Sequence, residues 1–240
     1  MEIGNANGKY IGASRHAFYV TLAFVLLSMV PGLLVPGAKP FAYIPPLVYI
    51  LRERRIRGRS WEEIGIKVRG IKKDFLTNWQ LFFIVAVVLQ LPIILIARAF
   101  WPDLLKHISS RVPLLNSSSI GLLIFIIIVI PLLEELIYRG LLQQRLAWYL
   151  NGFVAVVIAS IVFALQHFTA GSPAIVAVDL AGVFVDGMFY GWIFSRCRNV
   201  LVSWSAHTAT DLVSAVLLLL LVQFYVGEGY VRRPSSIYWS

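Results

Sequence analysis

The chain has 240 residues, 59% of them hydrophobic and only 14% charged, with a formal net charge of +9 and a mean hydropathy of +0.79. A soluble domain carries roughly 25% charged residues and has one core, too small to hide this much apolar surface. Lipid must therefore solvate most of the chain, which excludes a soluble enzyme, a secreted disulfide scaffold and a disordered polymer; the single cysteine, Cys197, can form no internal disulfide and lies in no metal-ligand spacing.

Apolar stretches near the roughly 20 residues that a spanning helix needs recur at 17–36, 40–51, 79–100, 119–138, 152–168, 174–195 and 200–226. They predict an all-α polytopic membrane protein with about seven transmembrane helices (six to eight), one integral-membrane domain over 1–240 and a polar site inside the helix bundle. The first stretch lacks a small-x-small cleavage site and contains Pro31-Gly32, as a retained helix would. The second is short and carries Pro45-Pro46, which predicts a kinked or re-entrant segment.

A basic loop follows at 52–78, opening on Arg52-Glu53-Arg54-Arg55-Ile56-Arg57-Gly58-Arg59. Over alternate loops Lys and Arg number 15 on the side of this loop and the N-terminus, against 6 on the other. The positive-inside rule then predicts a cytoplasmic N-terminus and an outer C-terminus. The loop reads as that topology signal ahead of an anionic-lipid or acidic-substrate contact. The net charge accordingly implies membrane lipids as surroundings and no nucleic-acid partner. Trp61, Trp79, Trp101, Trp148 and Trp204 fall mostly near span ends, as interfacial anchors do. The tail after Gly227 reads as exposed.

An ionisable group inside a spanning helix costs roughly 2.5–3.5 kcal/mol on insertion scales, so it needs a partner or a task. Such groups concentrate over 119–215. The fourth stretch runs into Glu134-Glu135-Leu136-Ile137-Tyr138-Arg139, the fifth ends Phe163-Ala164-Leu165-Gln166-His167, the sixth carries Asp179 and Asp186, and the seventh carries His207-Thr208-Ala209-Thr210-Asp211. Glu135 and Arg139 stand at i, i+4 with the acid first, the favoured order for a helical ion pair. Glu134 is rotated about 100° from that pair. His207 and Asp211 share a helix face. If the fourth helix continues to about residue 146, Glu134 and His167 lie at similar heights from the connection between their helices, roughly 18 and 22 Å. A carboxylate in a low-dielectric pocket suits general-base work. One histidine can hold the same water and return a proton to a leaving amine, and a second can donate to the oxyanion at a scissile carbonyl. Peptide hydrolysis is the reaction this set serves best.

These residues resemble a known family. Glu134 to Arg139 fits the EExxxR motif of the CAAX-protease and bacteriocin-processing (CPBP) intramembrane endopeptidases, also called the Abi family; Phe163 to His167 fits its FxxxH motif, and His207 to Asp211 its HxxxN/D motif. Gly187-Met188-Phe189-Tyr190-Gly191-Trp192 also looks like the family's approach to the last motif. The resemblance implies an all-helical membrane protease that cuts near the C-terminus of a membrane-associated or lipidated peptide or protein substrate. It implies Glu134 as the base that activates water, His167 as its positioner, His207 and Asp211 as stabilisers of the oxyanion, and Glu135 with Arg139 as structural or substrate-orienting. The prenyl-protein endopeptidases carry Asn where this chain has Asp211. An ionised aspartate would repel an oxyanion, so Asp211 must be protonated, paired with His207 or otherwise employed. The resemblance favours a glutamate mechanism with no cofactor; the alternative is a zinc-dependent protease with Glu134, His167, His207 and Asp211 as ligands.

Other intramembrane chemistries fit less well. There is no H-E-x-x-H zincin motif and no Gly-x-Ser-Gly. Asp179 and Asp186 lie on one helix about 10 Å apart, too far to share a proton; they read as lining a polar cavity, with Asp186 the candidate cavity residue, or as pairing with a base such as Arg98. A non-catalytic scaffold or immunity protein of the same fold is the second functional class, and a proton-relaying transporter the third, disfavoured by the lack of an inverted repeat.

Overall fold

A computed structural model describes residues 14–34, 39–111 and 120–227. Among the described residues there are eight helices and no strand: α1 Arg15–Leu34, α2 Ile44–Arg57, α3 Ile71–Phe100, α4 Pro102–Arg111, α5 Ile120–Leu146, α6 Gly152–Gln166, α7 Pro173–Cys197 and α8 Val200–Gly227. The 3-10 turns Lys39–Tyr43 and Glu62–Ile64 flank α2. Four helices are long and apolar enough to cross a bilayer: α3, α5, α7 and the Val200–Leu220 part of α8. The Arg15–Val30 part of α1 and α6 are apolar but shorter.

Where they are described, the expected stretches fall on helix apart from His167 and Phe168, with three differences in extent. The stretch at 40–51 divides between the first 3-10 turn and α2, which runs on through four arginines to Arg57. The loop at 52–78 yields its last residues to α3, and α5 continues past the expected end to Leu146. The short amphipathic α4 was not anticipated. The tail after Gly227 lies outside the described residues.

Local chemistry sets the ends. The Asn151 side chain accepts from Val154 N at 2.9 Å and caps α6. Ser172 and then Pro173 open α7. Gly58, at φ +62, ends α2 in the left-handed region and turns the chain so that Arg59 folds back to Glu53. Within α5, Pro131 removes one helical donor, and Leu136–Gln143 widens into π-helix directly after Glu134-Glu135.

The two ends of the bundle are pinned by different groups. At one, Glu53 of α2 meets Arg57, Arg59 and Arg145, and Asn199 Nδ2, ahead of α8, donates to Lys67 O and to Asp74 Oδ2 of α3. At the other, His107 of α4 lies 3.4 Å from Asp179 of α7. Between them α6 and α7 pack closely on small residues. A Cβ at Gly187 would come within 3.1 Å of Phe163 Cδ1, and one at Gly191 within 2.9 Å of Val156 Cγ1.

Candidate active site

Glu134 is the centre on which three helices and a turn converge. Its carboxylate is buried in α5, the long helix whose continuation to Leu146 sets its depth. Oε1 accepts a hydrogen bond of 2.6 Å from the Tyr43 hydroxyl and lies 3.9 Å from His167 Nε2. Oε2 lies 3.7 Å from His207 Nε2. These last two separations exceed direct hydrogen-bond length, so the imidazoles address the carboxylate by charge and through whatever small molecule enters between them.

Each imidazole is held by its other nitrogen. His167 stands at the C-cap of α6, where Nδ1 is 2.8 Å from Phe163 O. A carbonyl can only accept, so Nδ1 carries a proton and Nε2 faces Glu134. His207, in α8, donates from Nδ1 to Glu135 Oε1 at 3.3 Å. It stacks on Tyr190 of α7, with ring centroids 4.5 Å apart, and meets the edge of Phe163. The ring is therefore held by two aromatic contacts and one hydrogen bond.

Glu135 and Arg139 form the expected i, i+4 ion pair at 3.3 Å, and both are fully buried. Glu135 uses its other oxygen on His207, while Arg139 Nη2 donates to Gly187 O at 3.0 Å. The pair thus ties α5 to α7 and α8. Asp211 Oδ2 lies 3.8 Å from His207 Nε2, which makes pairing with His207 the geometry that the aspartate adopts, and its side chain is 39% exposed. The His167 side chain is 23% exposed. Glu134 and His207 are nearly closed off, so the site opens along the edge that carries His167 and Asp211.

The structure brings together Glu134, Glu135, Arg139, His167, His207 and Asp211. Asp186 stays one layer out. Its Oδ1 accepts from Gln90 Nε2 at 3.0 Å, and Gln90 Oε1 in turn accepts from Ser214, three residues beyond Asp211 on α8. Asp179 pairs with His107 instead of approaching the site. Two contributors escaped sequence reasoning. Tyr43 reaches Glu134 from the turn before α2, and its only sequence signal is a phenol inside an apolar stretch, which requires a partner. Tyr190 lay within the glycine-bounded segment already noted, without a role. Among the described residues no three His, Cys, Asp or Glu side chains are grouped to hold a metal ion.

The site is thus a buried carboxylate faced by two oriented imidazoles. Residues 116–213 match the family model for type II CAAX prenyl endopeptidase Rce1-like proteins. The matched segment contains every motif residue above, and the family is the one those motifs resemble. Neither curated proteins nor solved structures gave a match.

Proposed function

Taking residues 116–213 as a domain of the Rce1-like CAAX endopeptidase family, we propose that the chain is an intramembrane endopeptidase. It hydrolyses a peptide bond near the C-terminus of a membrane-associated or lipidated peptide. The observation that carries this reading is the convergence of Tyr43, His167 and His207, from separate elements, on one buried carboxylate beside a partly open edge.

Glu134 takes a proton from a water held between it and His167 Nε2, and the hydroxide adds to the scissile carbonyl carbon. The carbonyl oxygen becomes an oxyanion facing His207, whose Nε2–H donates to it while Nδ1 stays bound to Glu135. When the C–N bond breaks, the proton taken by Glu134 passes to the leaving amine, with His167 as its carrier. Asp211 balances the charge on His207 from the mouth. Glu135 and Arg139, both closed to solvent, orient His207 and the α7 backbone. Protein groups suffice for every step.

The chain works as one integral-membrane domain. The excess of Lys and Arg places its N-terminus and the Arg52–Arg57 end of α2 on the cytoplasmic side. The four long helices, α1, α6 and the partial crossing of α2 from Tyr43 give the seven segments.

The test is cleavage of C-terminal peptides, with and without a prenyl group, by the purified full chain. Glu134→Gln is expected to lower the rate at least about hundredfold with the melting temperature and elution volume unchanged, and a zinc chelator is expected to have no effect. Cleavage retained by Glu134→Gln overturns the glutamate mechanism. Loss on chelation, restored by zinc, replaces it with the metal-dependent one.

A further inference from the structure

A cavity of about 500 Å³ opens between α1 and α2, and none of the residues grouped around Glu134 lines it. Its lining is graded along the helix axes. Val20 and Phe24 of α1 and Pro45 and Val48 of α2 make an apolar wall. His16, at the start of α1, and Arg52 and Arg57, near the end of α2, gather at the other end. Arg52 stands seven residues beyond Pro45, or roughly 10 Å along a helix. Apolar wall and cationic head are therefore separated as the tail and headgroup of a membrane amphiphile are.

The charge at the head is not balanced by the protein. Among the described residues Glu53 is the only acid in the lining, and its one carboxylate already faces Arg57 at 3.4 Å, Arg59 at 3.3 Å and Arg145. Arg52 is exposed and makes no ion pair with any described residue. A neutral lipid would leave that excess positive charge uncompensated. A free anion would leave the apolar wall unused. Basic clefts between membrane helices take anionic headgroups on these terms.

We propose that this groove binds one anionic phospholipid. Its phosphate is taken by Arg52 and Arg57 with His16 at the rim, and an acyl chain lies along Val20, Phe24, Pro45 and Val48. The site is separate from the proposed hydrolytic one and does not depend on it.

Native mass spectrometry of the full chain in detergent, titrated with dioleoylphosphatidylglycerol or dioleoylphosphatidylcholine, tests it directly. The anionic lipid is expected to be retained in preference. Arg52→Ala removes a charged hydrogen-bond donor and is expected to weaken retention about tenfold. Val48→Trp fills the apolar wall at an exposed position and lowers retention without touching charge. Arg55→Ala, on the same helix but outside the lining, leaves retention unchanged. Equal binding of both lipids overturns the proposal, as does a loss with Arg55→Ala as large as that with Arg52→Ala, which would mean diffuse surface attraction. Competition by glycerol 3-phosphate as strong as by the whole lipid overturns it too, because the acyl wall would then be idle.

Discussion

Tyr43 donates to Glu134 Oε1 across 2.6 Å, within the roughly 2.5–2.7 Å seen when an O–H group serves a carboxylate. That bond fixes which way the carboxylate plane turns, leaving Oε2 toward His207 and Oε1 facing both Tyr43 and His167. Tyr43→Phe keeps the ring in its buried slot and deletes only the donor. A hydrogen bond to a charged group is worth about 1.5–3 kcal/mol, so kcat on the cleaved peptide is expected to fall tenfold to about a hundredfold with KM little changed. An unaltered kcat would reduce Tyr43 to an anchor for its turn. The contrast with the motif residues shows where sequence reading stops. Glu134, Glu135, Arg139, His207 and Asp211 announce themselves by i, i+4 spacing or by charge inside an apolar helix. Tyr43 is 91 positions from its partner, and no periodicity links them. Asp211 shows a different limit, since its type raises the charge problem in the sequence while its 3.8 Å separation from His207 Nε2 is a property of the folded site.

At the scale of elements, the site exists because α6 and α7 approach closely enough for His167, Tyr190 and Gly187 O to reach side chains of α5 and α8. Gly191 is the tightest point of that contact. A Cβ there would stand 2.9 Å from Val156 Cγ1 and 3.0 Å from Gln143 Oε1, and Gln143 is already committed, donating to Gly191 O and to Ser195 Oγ. Gly191→Ala is therefore expected to cost about 1–3 kcal/mol through overpacking, seen as a lower melting temperature in detergent. Gly182→Ala, on the same helix with nothing within 4 Å, serves as the control and should be neutral or slightly stabilising, because alanine is the better helix former. Equal behaviour of the two variants would show that the helices can part without loss. The glycines were visible in the sequence as a segment, and their task was not, because closeness is a property of the facing helix. The π-helical widening of α5 after Glu135 was equally hidden, since Leu136–Gln143 reads as ordinary apolar helix. The sequence places the end of this stretch near residue 138, and the matched depths of Glu134 and His167 hold only on the condition that the helix continue to about residue 146, which α5 meets.

Across the whole molecule, α2 is held at both ends: Tyr43 precedes it at the carboxylate, and Glu53 clamps its far end. The arginines that a topology count treats alike divide sharply. Arg55 is exposed, whereas Arg59 and Arg145 are 8% and 1% exposed and turn inward to Glu53. Burial pulls the Arg59 guanidinium below its ordinary value, and Glu53 opposes that shift. One acid thus joins α2, the following turn and the last residues of α5, so the end of the helix that carries Glu134 and the helix that Tyr43 precedes share Glu53 as a counter-ion. Glu53→Gln preserves shape and removes the charge, leaving buried Arg145 without its carboxylate and buried Arg59 with only the weaker influence of Glu63. Breaking a buried pair from one side costs about 3–5 kcal/mol, and the melting temperature of the purified chain is expected to drop accordingly. Glu62→Gln, an exposed acid of the neighbouring 3-10 turn, should leave it within experimental error. Because the clamp holds the far end of the helix that Tyr43 precedes, cleavage should fall with the same variant at temperatures well below its melting point. A variant that melts early yet cleaves at the native rate when cold would separate the clamp from the site and confine Glu53 to holding the end of the bundle.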